Sequence, residues 1–76
     1  MDFKDLTYII AVAKYQNITK AADSLYITQP TLTKFIQHLE ADMGQKLFKK
    51  LGNKFTLTYA GQRYVAKATE ILNIKK

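Results

Sequence analysis

Residues 28–44, Thr28-Gln29-Pro30-Thr31-Leu32-Thr33-Lys34-Phe35-Ile36-Gln37-His38-Leu39-Glu40-Ala41-Asp42-Met43-Gly44, decide the fold. Leu32, Ile36, Leu39 and Met43 stand at i, i+4, i+7 and i+11, one stripe of an α-helix, and Phe35 flanks it. The opposite face carries Thr31, Thr33, Lys34, Gln37 and His38, all polar. Thr28 supplies an N-cap oxygen, Pro30 falls in the first turn where its missing N–H costs nothing, and Gly44 suits the C-terminal stop. The stretch therefore predicts a helix over residues 29–43, buried along one side and polar along the other. Positions 28–38 hold no acid, a condition for lying beside phosphates.

Upstream, Ala21, Ala22 and Leu25 form a small stripe on a short helix from Ile18 to about Leu25, capped by Asn17 or Thr19. The paired alanines let a neighbouring helix approach closely. Tyr26-Ile27-Thr28 separates the two helices, which is tight-turn spacing. Before them, Asp2 to about Tyr15 predicts a first helix, with Asp2 as N-cap and Phe3, Leu6, Ile9, Ile10 and Ala13 on its inner face. Tyr8, Tyr15, Tyr26 and the phenylalanines are expected in the core or at its rim.

Downstream, Leu47–Lys50 and Lys54–Leu57 predict two short strands around a Gly52-Asn53 turn, with Phe55 and Leu57 facing inward. Thr58 then caps a last helix whose stripe is Tyr64, Val65, Ala68, Ile71 and Leu72. The 18 residues after the cap span about 27 Å at helical rise, long for so small a domain. The stripe runs on to Ile74 without a stop signal, so the chain is expected to be a fragment cut inside or just after this helix.

The whole chain has 76 residues, room for one hydrophobic core. A domain of this length buries only about 60% of its unfolded surface, so stability is expected to be marginal. The hydrophobic fraction is 47% and the charged fraction 24%, a globular balance. There is no cysteine, which excludes disulfides, thiol catalysis and cysteine-based metal sites, and His38 is the single histidine. With one serine, Ser24, and no glycine-rich phosphate loop, the residues argue against an enzyme, and no cofactor is expected. The longest apolar run, Tyr8 to Ala13, is far short of the ~20 residues of a membrane span, so a cytoplasmic protein without a membrane partner is expected.

Charge separates along the chain. The net charge is +6, yet no acid occurs from Met43 to Thr69, while Lys46, Lys49, Lys50, Lys54, Arg63 and Lys67 do. A one-signed stretch of this kind suits a polyanion, nucleic acid before membrane surface. Short helix, tight turn, polar-faced helix and hairpin together describe a helix-turn-helix followed by a wing. The third helix of that arrangement places its N-terminal residues in the major groove.

With these blocks in this order, the chain resembles the N-terminal DNA-binding domain of LysR-type transcriptional regulators over its whole length. The resemblance rests on Phe3-Lys4-Asp5-Leu6 with Tyr8, on Ile18-Thr19-Lys20-Ala21-Ala22, on Thr28 to Ile36 followed by Leu39-Glu40, and on Gly44, Leu47-Phe48, Leu57-Thr58 and Ala60-Gly61. It implies a mainly α, winged helix-turn-helix fold with a three-helix core, a β-hairpin wing and a long C-terminal linker or dimerisation helix. Residues 1–58 would be the DNA-binding domain and 59–76 the linker, leading to an effector domain absent from this chain; a small-molecule effector enters only with a longer chain.

By the same resemblance, Thr28, Gln29, Pro30, Thr31, Thr33 and Lys34 match base and phosphate contacts, and Lys50, Asn53 and Lys54 match the wing. His38 is a further candidate late on the helix. The family usually carries arginine where this chain has Lys34 and Lys50, and lysine is a point charge without the bidentate fork. A homodimer through Tyr64, Val65, Ala68, Ile71 and Leu72 is implied, bound to double-stranded DNA. The alternative is a winged-helix protein-interaction module whose basic face meets an acidic partner. Against it, the threonine-lined face lacks the aromatics and arginines of a protein hot spot. Single-stranded RNA binding needs an aromatic sheet platform that two short strands do not offer.

Overall fold

The computed structural model describes residues 3–75, with side chains to residue 73. Its elements run α1 (Phe3–Tyr15), α2 (Ile18–Ser24), α3 (Gln29–Met43), β1 (Phe48–Leu51), β2 (Lys54–Leu57) and α4 (Tyr59–Lys75). Asp2 and the side chain of Ile74 lie outside the described residues, and with them the expected first cap and the end of the last stripe. The architecture is a mainly α winged helix-turn-helix.

Each boundary has a local cause. The Asn17 side chain accepts the Lys20 N–H at 2.9 Å and starts α2. Thr28 Oγ1 accepts the Thr31 N–H at 3.3 Å and starts α3 with Pro30 in its first turn. Gly44 ends α3 in the left-handed region at φ 69°, a conformation that a Cβ disfavours. Thr58 Oγ1 accepts the Gly61 N–H at 3.1 Å and starts α4.

One core joins all the elements. Leu6, Ile9 and Val12 of α1 meet Ala21 and Ala22 of α2, Leu32 and Ile36 of α3, Leu47 and Phe48 at the wing, and Tyr64 and Ala68 of α4. The α1 helix packs against both α2 and α4, while α2 packs against α3. Tyr8 meets Phe35 edge to face at 5.0 Å. Of the expected α1 face, Leu6 and Ile9 are buried and Ile10 and Ala13 pack against the core, while Phe3 is 43% exposed and Val12 joins the buried edge. An α1 flanked on two sides buries most deeply the residues that lie between its neighbours. Met43 is likewise exposed at the end of α3, and Glu40, not Met43, is the last buried residue of that helix.

Tyr26 corrects the core-or-rim expectation outright. It is 95% exposed and sits in the left-handed region at φ 59°, where the chain reverses between α2 and α3. The turn is closed by Tyr26 N–H to Asp23 O and Ile27 N–H to Ala22 O, so Ile27 packs inward and Tyr26 is turned out.

The wing is a two-stranded antiparallel hairpin with Phe48 opposite Leu57 and Leu51 opposite Lys54 across the Gly52-Asn53 tip. Its first strand starts one residue later than expected. The Leu47 peptide is taken out of the ladder: its N–H goes to Glu40 and its carbonyl accepts from Thr58 N–H. Phe48 and Phe55 stack at 5.0 Å, and Phe55 N–H donates to Gln16 O, which ties the wing to the α1–α2 junction.

The core does not stop at residue 58. Tyr64 and Ala68 are buried within this chain, so they face the core and not a second subunit as expected from the stripe. Their burial comes from α1 lying along the first half of α4. Among the described residues no helix is long and apolar enough to cross a membrane.

Two substitutions test this packing. A Cβ at Gly61 would fall 2.1 Å from Leu47 O, a backbone atom held by its own hydrogen bond. Gly61→Ala is expected to cost about 3 kcal/mol in a urea melt. The Tyr64 hydroxyl is buried without a hydrogen-bond partner among the described residues. Burial, and then the charge of Asp5, hold its phenol above the ordinary 10.0. The folded chain keeps this proton where the unfolded chain begins to lose it, so stability falls as pH rises above 10. Tyr64→Phe is expected to leave neutral-pH stability unchanged or to raise it by about 1 kcal/mol. It should also flatten the alkaline decline in melts taken above that pH.

Candidate nucleic-acid interface

The exposed side of α3 follows from the buried one. Leu32 and Ile36 are drawn into the core, so residues on the far side of the helix are left in solvent. Gln29, Pro30, Thr33, Lys34 and Gln37 line one continuous surface there. Gln29, Pro30, Lys34 and Gln37 are exposed, and Thr33 is half-buried where α3 turns toward the wing.

Between α3 and the hairpin runs an open groove of about 460 Å³. Thr33 and Gln37 form its helix side; Lys46, Lys49 and Lys50 form its other side. At its upper end a smaller cleft brings Gln29 together with Thr19, Lys50 and Asn53. The structure therefore assembles Gln29, Thr33, Lys34, Lys50 and Asn53 on one connected face, although Gln29 and Asn53 are remote in sequence. Thr28 and Thr31 sit at the first turn of α3, their hydroxyls 2.8 Å apart. Lys54 is exposed at the wing tip opposite Leu51. His38 is exposed but lines neither the groove, the cleft nor the Gln29–Gln37 surface.

Two residues acquire importance only in three dimensions. Thr19 Oγ1 donates to Gln29 Oε1 at 3.1 Å, across the helix-turn-helix. That bond holds the carboxamide so that its N–H₂ end is the free one. No local pattern links residues ten apart in different helices. Glu40, 8% exposed, accepts N–H bonds from Leu47 at 2.6 Å and Phe48 at 3.2 Å. Here a signal did exist: Glu40 follows Ile36 by four residues and so continues the buried stripe, where an unpaired acid is costly.

Charge completes the geometry. The groove and cleft present the side chains of Lys46, Lys49 and Lys50, whereas the acid among their lining residues, Glu40, is turned inward onto backbone N–H groups. Lys46 approaches Glu40 at 3.8 Å with its own side chain 80% exposed, a contact of little energetic weight. The face thus combines hydroxyls, amides and cations and offers donors to an anionic partner.

Winged helix-turn-helix domains with this arrangement form a class of bacterial regulators. The profile of the family described as "Bacterial regulatory helix-turn-helix protein, lysR family" matches residues 3–62, and the chain belongs to that family. It is 40% identical over 73 residues to the HTH-type transcriptional regulator CitR of Bacillus subtilis, covering 96% of this chain and 25% of that protein. It is 42% identical over 74 residues to the HTH-type transcriptional regulator ClcR of Pseudomonas putida, covering 97% of this chain and again 25% of the relative. The chain thus spans about a quarter of the length of these curated relatives. Among solved structures it resembles the CbnR DNA-binding domain in complex with DNA, with a TM-score of 0.88 and 39% identity over 99% of this chain and 86% of that one. A BenM DNA-binding domain complex with DNA gives a TM-score of 0.89 at 36% identity, over 96% of this chain and 81% of that one.

Proposed function

We propose that this chain is the sequence-specific double-stranded DNA-binding domain of a LysR-type transcriptional regulator. It inserts α3 into the major groove and lays the wing along the flanking backbone. The observation that carries the reading is the acid-free face of α3 from Gln29 to Gln37, exposed and continuous with Lys50 of the wing. A major groove about 12 Å wide accepts one helix with its side chains. The CbnR and BenM domains, alike in fold and sequence, are solved with DNA. The work is binding without catalysis.

The roles divide by position. Lys34, exposed in the middle of the face, reads guanine as a point-charge donor. Gln29 engages Thr19 through its oxygen, so it presents N–H₂ hydrogens to a phosphate oxygen or to a guanine or thymine acceptor. The amide oxygen has a second lone pair, so bidentate pairing to adenine stays open beside that bond. Pro30 and Thr33 supply apolar and hydroxyl contacts to base edges. Thr28 and Thr31, already bonded to each other, face the phosphate beside the helix start. Lys50 and Asn53 flank the cleft, and Lys54 at the tip extends the wing's charge along the backbone. His38 lies off this surface and is left out of the contact set.

Residues 1–58 carry the DNA contacts, and residues 59–76 the link to a second subunit. With Tyr64 and Ala68 in the core, the surface for a homodimer narrows to Val65, Ile71 and Leu72 on α4. Ile71 is 41% exposed, and Val65 and Leu72 share a helical face seven residues apart. An effector-binding role belongs to a longer chain.

Selection of bound duplexes from a random pool should yield a two-fold symmetric motif. If each subunit neutralises about four phosphates, the log–log salt slope of the dimer is roughly −7. Lys34→Ala should lose discrimination at one base pair per half-site, about 1–3 kcal/mol. Lys50→Ala should instead weaken all sequences alike. Identical effects from the two, or binding indifferent to salt, would remove this reading. For the dimer, Ile71→Asp should shift sedimentation equilibrium toward monomer while leaving the helical circular dichroism unchanged.

A further inference from the structure

We propose that Glu40 is the positioning residue that sets the wing against α3, so that one inward carboxylate fixes the spacing between the two DNA-contacting elements. The proposal rests on the DNA-binding reading above and adds a determinant that contacts no DNA itself.

Glu40 stands on the same helix as Thr33, Lys34 and Gln37, but on its buried side. Its Oε2 accepts the N–H groups of Leu47 and Phe48, the two residues that lead into and begin β1. Its main-chain carbonyl accepts the Gln45 N–H at 3.2 Å, just beyond Gly44. The α3–β1 connection thus makes three hydrogen bonds to one residue of the recognition helix. From the other side Thr58 accounts for the matching carbonyls: its N–H donates to Leu47 O at 3.0 Å, and its hydroxyl donates to Lys46 O at 2.6 Å. The segment 46–48 is held between α3 and the start of α4, and Lys49 and Lys50 follow it directly along β1.

The chemistry requires an acceptor, and a strong one. Two N–H groups converge on a single oxygen of a side chain that is almost wholly buried, at 2.6 Å from Leu47 and 3.2 Å from Phe48. Removing the acceptor leaves two peptide donors unpaired inside the fold. The cheapest relief is for the 46–48 segment to swing toward water, and the hairpin moves with it. A two-stranded hairpin has no rigidity of its own to resist this. Phe55 N–H to Gln16 O still tethers β2, so the wing would pivot rather than detach.

A positioning role differs measurably from a stabilising one. Residual dipolar couplings of backbone amides report the orientation of the hairpin relative to α3 in the free protein at a temperature where every variant is folded. Glu40→Ala should change the couplings of residues 48–57 relative to α3. Val12→Ala, a core substitution of comparable destabilisation, should not, and Glu40→Gln should restore most of the native set. The second arm is a double-mutant cycle on duplex affinity. Lys50→Ala should weaken binding roughly fivefold in the native background and less than about twofold beside Glu40→Ala, because a misplaced wing has no phosphate contact left to lose.

Unchanged couplings in folded Glu40→Ala overturn the proposal whatever happens with DNA. Equal Lys50→Ala effects in both backgrounds overturn the link to binding. Altered couplings in a protein that binds no duplex leave Glu40 as the wing's anchor and remove the DNA reading alone.

Discussion

The burial of Leu32 and Ile36 organises everything else in this chain. In so small a core, α3 can be held only by giving up one side entirely, and those two residues are that side. Once they are in place, helical geometry leaves Gln29, Pro30, Lys34 and Gln37 in solvent, whatever their chemistry. The interface is therefore the complement of the core. It is rigid for the same reason: a helix pinned along its length presents its outer side chains at fixed spacing, as a reader of base edges requires.

The wing has no such independent support. Four-residue strands paired only to each other are marginal in water. Here they are fastened at their roots by Glu40 and Thr58, and along β2 by Gln16 and the Phe48–Phe55 stack. These anchors come from α3, α4 and the α1–α2 junction. These ties from several parts of the helical body explain how a hairpin of so few residues can hold Lys49 and Lys50 across a groove from α3. Gly61 belongs to the same arrangement, since only a residue without a side chain lets α4 approach the Leu47 carbonyl so closely.

Helix content was legible in the sequence because its signals are local. The α3 limits coincide with those expected from Thr28, Pro30 and Gly44, and Asn17 and Thr58 cap as their positions suggested. Where the reading slipped, a second neighbour was responsible. Val12, not Phe3, lies in the core because α1 is packed on two sides. Tyr64 and Ala68 looked like a dimer stripe because a helical stripe states only that it is buried, not against what. Tyr26 looked like core because it is aromatic, yet the turn geometry turns it outward.

Sequence by itself determined the elements, their order, the polar face of α3 and the acid-free basic stretch from Met43 to Thr69. These are set within a few residues, by caps, periodicity and charge. Only tertiary structure decided that Thr19 would orient Gln29, that Glu40 would turn inward, and that Asn53 and Gln29 would share a cleft. Each of those outcomes depends on a hydrogen bond or a packing choice between segments distant along the chain. Such choices follow from the closure of the common core, which no single stretch encodes.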